Sequence, residues 1–297
     1  MEQYMVVIMA ILGAMLGSFA AATVWRLRAR QLASDAAAGY MLTSSEKKEL
    51  ATIKKLRGKK GAKDRSICLG CNRQLAWFDL IPVLSWLCLR GKCRTCQAPI
   101  GKVELLAELG LAAAMAVSYI AWPFGFSSVM AVALFVVWIV VLVLVTIHII
   151  YDAKWFLLLD EITIVLTVCA VLFVALRTVG GFAEIATLPI TIGGSLLVLP
   201  GLYWALYAFS KGGWIGFGDV KLLVPLAIML PHWTEAVLAL FLANLLGCIW
   251  IIPGMAMKKF TRKTRIPFGP FLIIGWVIAM LYGTKLVAAY LSGAMPL

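Results

Sequence analysis

Apolar stretches long enough to cross a bilayer recur along the chain, at roughly 4–25, 104–122, 128–150, 162–178, 187–209, 219–231, 235–255 and 268–292. A spanning helix needs about 20 predominantly apolar residues. Inside lipid each backbone N–H and C=O must find its partner within the protein, which restricts spanning segments to helices or closed barrels. The lengths here are helical. The chain is 63% hydrophobic and 14% charged, far from the composition of a soluble domain. An all-α polytopic membrane protein with about eight transmembrane helices is expected. The 219–231 stretch is short for a full crossing. The first segment lacks a basic leader and is followed by positive charge, which suits an uncleaved anchor.

The net charge of +13 raises the question of nucleic acid, and its distribution answers it. Seventeen of the 27 Lys and Arg residues fall between Arg26 and Lys102. With eight alternating spans, Lys154, Lys211, Lys221, Lys258, Lys259, Arg262, Lys263 and Arg265 share that side, leaving Arg177 and Lys285 toward the other. Such a bias is the positive-inside signature of a cytoplasmic face, with both termini outside. The basic residues are thus accounted for by topology and by membrane lipids, and no nucleic-acid partner is expected.

The expected organisation is a first transmembrane helix over 1–27, a cytoplasmic insert over 28–101, and a seven-helix core over 102–297. Within the insert, about 44–57 reads as a helix capped by Ser44 or Ser45, and "RGKKGAKDR" as a mobile stretch. The second half of the insert holds "CLGC" at 68–71 and "CRTC" at 93–96. Cys68, Cys71, Cys93 and Cys96 thus form two CxxC pairs, the spacing of a tetrahedral zinc site. Arg65, Arg90, Lys92 and Arg94 nearby favour thiolates. Two disulfides are the alternative, disfavoured in a reducing cytoplasm. Four protein ligands leave no open position, so the metal's role is structural and the module spans 68–100. Trp77, Phe78, Pro82 and Trp86 pack on the metal knuckles or dip into the membrane interface. Cys88 reads as packing, and Cys169 and Cys248 as buried and inert. The glycines at 193–194 and Gly201 read as helix-packing positions.

Acidic residues are few, so each one near a span carries weight. Glu2, Glu184 and Glu235 read as solvated at the outer face, and Glu104 and Glu108 as partners of Arg or Lys in the insert. Asp152 ends a span at the cytoplasmic level, and Asp219 begins one at the same level. Asp160 follows Asp152 by eight residues, about 12 Å along a continuous helix and on a different face. A carboxylate pair therefore joins Asp219 to either Asp152 or Asp160. Two adjacent carboxylates share one proton, so one can draw a proton from water while the other donates. This is aspartyl peptidase chemistry. An ion-coupled transporter is the rival reading. Gly216 and Gly218, flanking Phe217 just before Asp219, would let an extended peptide approach without side chains in the way. Lys221 would meet an acidic residue of that peptide, or else reach lipid phosphates.

Four segments together resemble the type IV prepilin leader peptidases, a bacterial family of GxGD-type intramembrane aspartyl peptidases. They are "GAMLGSFAAATVWRLR" at 13–28, the cysteine module at 68–100, "GFGDVK" at 216–221, and "RIPFGPFLIIG" at 265–275. The resemblance implies that Asp152 and Asp219 are the catalytic pair. Leu159 stands where the family usually has a proline, which removes a helix breaker, and Glu108 matches the family's acid after the cysteine module. It also implies removal of basic leaders from prepilins or pseudopilins at the cytoplasmic face of the inner membrane. N-methylation of the new terminus with S-adenosylmethionine is implied by the resemblance alone, since the sequence offers no glycine-rich methyl-donor site. A presenilin-like signal-peptide peptidase shares the "YD" and "GFGD" elements but not the cysteine module or "PFGPF". Neither the particular substrate nor the oligomeric state follows from the sequence.

Overall fold

The computed structural model describes residues 2–53, 66–259, 261, 264 and 266–294. The chain divides into two compact units, Met1–Val117 and Ser118–Leu297. Among the described residues the structure is helical, with two isolated β-bridges and no strand.

In the first unit, α1 runs over Glu2–Ala37, well past the apolar stretch that ends near residue 25. Its 36 residues extend about 54 Å at 1.5 Å per residue, more than a bilayer core requires. Helix-favouring Arg, Gln, Leu and Ala carry it onward. α2 covers Ser44–Ile53, and the rest of the expected 44–57 helix, together with "RGKKGAKDR" and Arg65, lies outside the described residues. Its cap is Thr43 rather than Ser44 or Ser45. Glu46 N donates to Thr43 Oγ1, while Thr43 N donates to Glu46 Oε2 at 2.9 Å, the reciprocal pattern of a capping box. Buried Arg28 of α1 ties the two helices together through Glu46 and Glu49 of α2. A short α3 covers Leu84–Cys88 and α4 covers Lys102–Ile120. α1 meets α4 through Gly13 and Gly17, where a Cβ would fall 2.6 Å from the Leu111 and Ala107 carbonyl oxygens. This is close GxxxG packing. Glu104 accepts from Trp25 Nε1 at 3.0 Å and Glu108 from the Val83 amide at 2.7 Å. The expected basic partner at Glu108 is thus replaced by a backbone N–H.

The second unit holds α5 (Val129–Trp155), α6 (Asp160–Val179), α7 (Leu188–Leu196), α8 (Leu202–Ser210), α9 (Phe217–Met229), α10 (Trp233–Ala256) and α11 (Gly269–Ala294). A π-helical turn at Leu197–Gly201, containing Pro200, joins α7 to α8, so Ile185–Ser210 acts as one span. Seven helical stretches among the described residues are long and apolar enough to cross a membrane. α9, with 13 residues, is about 20 Å long and falls short. Its C-terminal carbonyls end inside the protein and need donors. Trp276 Nε1 donates to Leu226 O at 2.8 Å, and Arg177 Nη1 to Met229 O at 3.4 Å. α11 packs on α5, α9 and α10. Gly275 lets it approach α10, since a Cβ there would lie 2.7 Å from Ala239 O. Gly194 does the same for α7 against Trp233, 2.8 Å from an added Cβ. The core is aromatic, with Trp138 packed against Trp276 and Trp122. Three expectations about exposure fail. Glu235 is buried beside Gly283 and bonded to Thr284, whereas Cys88 and Cys248 are exposed.

Candidate active site and metal centre

α5 is apolar for most of its length, and its polar side chains gather toward its end. Asp152 lies in the last turn, 6% exposed. Phe156 then takes a left-handed conformation (φ 56°) and its amide closes the turn on Asp152 O at 2.9 Å. Leu159 is extended and caps α6. The helix therefore breaks between Asp152 and Asp160 without the proline that the family usually places at 159.

Asp152 Oδ2 accepts the amide of Gly269 at 2.9 Å. Gly269 opens α11, whose first N–H groups have no partner within the helix and whose positive dipole end favours a carboxylate. A Cβ at Gly269 would sit 2.7 Å from that oxygen, so the contact requires glycine. This gives the "PFGPF" segment a physical role that its sequence did not disclose.

Asp219 lies in the first turn of α9, half-buried, with its amide on Gly216 O at 3.2 Å. Its carboxylate is within Coulombic reach of Asp152, and so is the phenol of Tyr203 from α8 within reach of Asp219. Tyr203, 4% exposed, stacks on Phe268, whose ring centroid is 6.5 Å away. Asp160 is turned elsewhere. It accepts two hydrogen bonds from Lys221 Nζ, at 2.9 and 2.8 Å, on an exposed surface. The glycines differ from one another. The space beside Gly218 is filled by Leu158, 3.3 Å from an added Cβ, while at Gly216 an added Cβ would make an ordinary 3.5 Å contact with Asp219 Oδ2.

Two further residues belong with these groups that the sequence pattern does not single out. Tyr203 gave no local signal. His148 did, being four residues before Asp152 and so on the same helix face. It is 1% exposed, with Nδ1 donating to Leu144 O at 3.1 Å and Nε2 3.0 Å from Thr163 Oγ1 of α6.

In the first unit, the four sulfurs of Cys68, Cys71, Cys93 and Cys96 lie within 4.8 Å of one another. The Cys68–Cys96 separation is 3.8 Å, about the edge of a tetrahedron whose corners are 2.3 Å from a central zinc. Each CxxC is a tight knuckle. Cys68 N bonds Arg73 O and Cys93 N bonds Ala98 O. The residue after each pair, Asn72 and Gln97, adopts positive φ (59° and 56°). Gly70 lets the knuckles meet, since a Cβ there would lie 2.9 Å from Ala98 Cβ. The amides of Cys96 and Thr95 lower the Cys93 thiol to about 6. Ala98's amide favours the Cys96 thiolate too, but burial and the neighbouring sulfurs outweigh it and push Cys96 up to about 11. Four such sulfurs ionise together only around a cation, so the donor set fits a metal ion. Arg94 is not free to assist. With Arg73 it clamps Asp79, at 3.2 and 2.7 Å, and lies over the Phe78 ring. Trp77 is 76% exposed.

A profile of the bacterial peptidase A24 N-terminal domain matches residues 11–122, which include the cysteines. One of the type IV leader peptidase family matches 138–252, which include Asp152 and Asp219. A prepilin leader peptidase/N-methyltransferase of Aeromonas hydrophila is 35% identical over 233 residues, covering 77% of this chain and 75% of that protein. Proteins of the same name from Stutzerimonas stutzeri and Pseudomonas putida are 31% and 29% identical. The former match covers 77% of this chain and 75% of the relative, the latter 96% and 93%. No solved structure matches. The matches span both units and bring the cysteine cluster and both acids within one framework, and the chain belongs to the type IV leader peptidase family of membrane peptidases.

Proposed function

We propose that this protein removes the leader from type IV prepilins or pseudopilins, with Asp152 and Asp219 as the catalytic pair. The observation that carries this reading is the buried Asp152 carboxylate, held by the Gly269 amide, with Asp219 within reach of its charge. Asp160, by contrast, is taken by Lys221. One carboxylate takes a proton from a water molecule as its oxygen attacks the scissile carbonyl. The other, protonated, donates to the carbonyl oxygen. The tetrahedral intermediate collapses, the C–N bond breaks, and a proton passes to the leaving nitrogen. The Gly269 amide holds Asp152 in place throughout. Gly216 and Gly218 shape the approach to Asp219, and Lys221 is proposed to meet an acidic residue of the substrate.

The reaction is assigned to the cytoplasmic face of the bacterial inner membrane, with both termini outside, on the strength of the Lys and Arg distribution. In this reading residues 102–297 carry the reaction, 1–27 anchor the chain, and 28–101 present the cysteine module. The module's ion is zinc, as the four-thiolate set favours, and it holds the knuckles together without touching the reaction. N-methylation with S-adenosylmethionine is proposed from the relatives' printed name, and gives no residue here a role.

The test is co-expression with candidate prepilins and sequencing of the mature N-termini. Wild-type chain should expose a new terminus just before the hydrophobic segment. Unprocessed prepilin in the presence of folded wild type, across the host's own prepilins, would overturn the assignment.

A further inference from the structure

At the far end of α6 from the exposed Asp160 stands a buried charge. Arg177 is 2% exposed. Seventeen residues of helix separate it from Asp160, about 25 Å of rise, close to the thickness of a bilayer core. A buried guanidinium carries a fork of N–H donors that all need acceptors. Here Nη1 reaches Met229 O in a long 3.4 Å bond, and Nε has no partner. Glu235 is near enough to feel its charge. Its Oε1, however, accepts from Thr284 of α11, and its Oε2 makes no hydrogen bond to the guanidinium. The capping of α9 therefore uses only part of what Arg177 offers.

Arg177 lines a cavity of about 620 Å³. Phe124, Phe182 and Leu188 provide apolar wall, and buried Thr191 adds a hydroxyl. Ile190, 71% exposed, stands at its rim. Exposed Glu184 and His232 also line it. With the buried guanidinium inside and an apolar residue at the rim, the cavity suits an amphiphile whose anionic group goes inward. In a protein of spanning helices, at the end of a span, the amphiphile at hand is a phospholipid.

We propose that this cavity is a lipid site, in which Arg177 binds the phosphate of a membrane phospholipid. The lipid completes the guanidinium's hydrogen bonds with charge-assisted ones. Its acyl chains leave past Ile190 into the leaflet opposite the aspartates. The assignment is independent of the peptidase reading, since it uses no residue of the aspartate pair.

The experiment is native mass spectrometry of the full chain in detergent with added phosphatidylglycerol, and in parallel with inorganic phosphate. Wild type should retain one lipid that resists delipidation. Arg177→Gln should lower the retained fraction by roughly tenfold, the loss expected for one charge-assisted hydrogen bond. Thr191→Leu fills the cavity while leaving Arg177 on Met229 O, and should lower it comparably. It also carries the test alone if Arg177→Gln does not fold. Equal retention by wild type and Thr191→Leu would overturn the proposal. So would displacement of the lipid by millimolar inorganic phosphate, which would mark a site for soluble anions.

Discussion

The cysteine module brings together sulfurs 28 residues apart or less, and two local knuckles do most of the assembly. The aspartate site joins Asp152 to an amide 117 residues away and collects Asp219 and Tyr203 from two further helices. The first needs two tight turns and, in the proposed reading, an ion. The second needs the packing of α5, α8, α9 and α11 to be right before any of its groups meet. A local site tolerates errors elsewhere in the chain. A site assembled at long range is sensitive to changes of an ångström in helix position.

The largest effects should follow from the acids themselves. Asp219→Asn and Asp152→Asn keep size but cannot pass the proton, and should each lower cleavage by at least about 10²–10⁴-fold with the protein still folded in membranes. Asp160→Asn should be mild. The readout is N-terminal sequencing of co-expressed prepilin. Normal processing by Asp152→Asn alongside failure of Asp160→Asn would reverse the assignment of the pair.

Gly269→Ala tests the long-range assembly without touching an ionisable group. Its methyl would fall 2.7 Å from Asp152 Oδ2, so either the carboxylate or the start of α11 must move. Displacements of this order can cost about 10²-fold in rate, and kcat should fall more than KM changes. Wild-type turnover in Gly269→Ala would mean that the amide contact is dispensable.

Replacing Cys68 and Cys71 by serine tests the local site. Purified protein should go from about one zinc per chain to none, measured by atomic absorption. Structural zinc supplies on the order of 10 kcal/mol of folding free energy to small modules, so the knuckles should open. Cleavage should fall less than in the aspartate variants, because in the proposed reading the ion takes no part in the chemistry. Wild-type protein that holds no metal and presents four free thiols would remove zinc from the account.

The same contrast decides what could be read from the chain beforehand. The CxxC spacing encodes its own geometry, and apolar length encodes the spans, so both were legible. The acids were legible as rare charges near spans. Which of Asp152 and Asp160 faces Asp219 was open from charge alone. The proposed pairing with Asp152 turns on the break at Phe156, where a non-glycine residue takes positive φ, and on Lys221 holding Asp160 at the surface. Gly269 and Tyr203 were illegible for a different reason. A backbone donor and a buried phenol act through tertiary neighbours, and neither carries a periodic signal. Gly13 and Gly17 did carry one, as GxxxG in an apolar helix. Glu235 misled because an acid at the end of a span is ordinarily solvated, and only the packing against Gly283 shows it buried.

The smallest expected effect lies at Lys221, where the structure supplies a partner that the sequence reading lacked. Its Nζ bonds both Asp160 oxygens, with the two side chains 40% and 62% exposed. Exposed pairs of this kind contribute about 0–1 kcal/mol, so breaking this one should barely change stability. The pair instead places a cation two residues beyond Asp219, tethered to the start of α6. Lys221→Glu should reduce cleavage of normal prepilin severalfold. If Lys221 meets an acid of the substrate, a prepilin with lysine in place of that acid should restore it. If it serves only to join α9 to α6, the rescue should come from the double variant Lys221→Glu with Asp160→Lys, and not from the altered substrate. Rescue by neither, with stability unchanged, would remove Lys221 from substrate binding and from helix positioning alike.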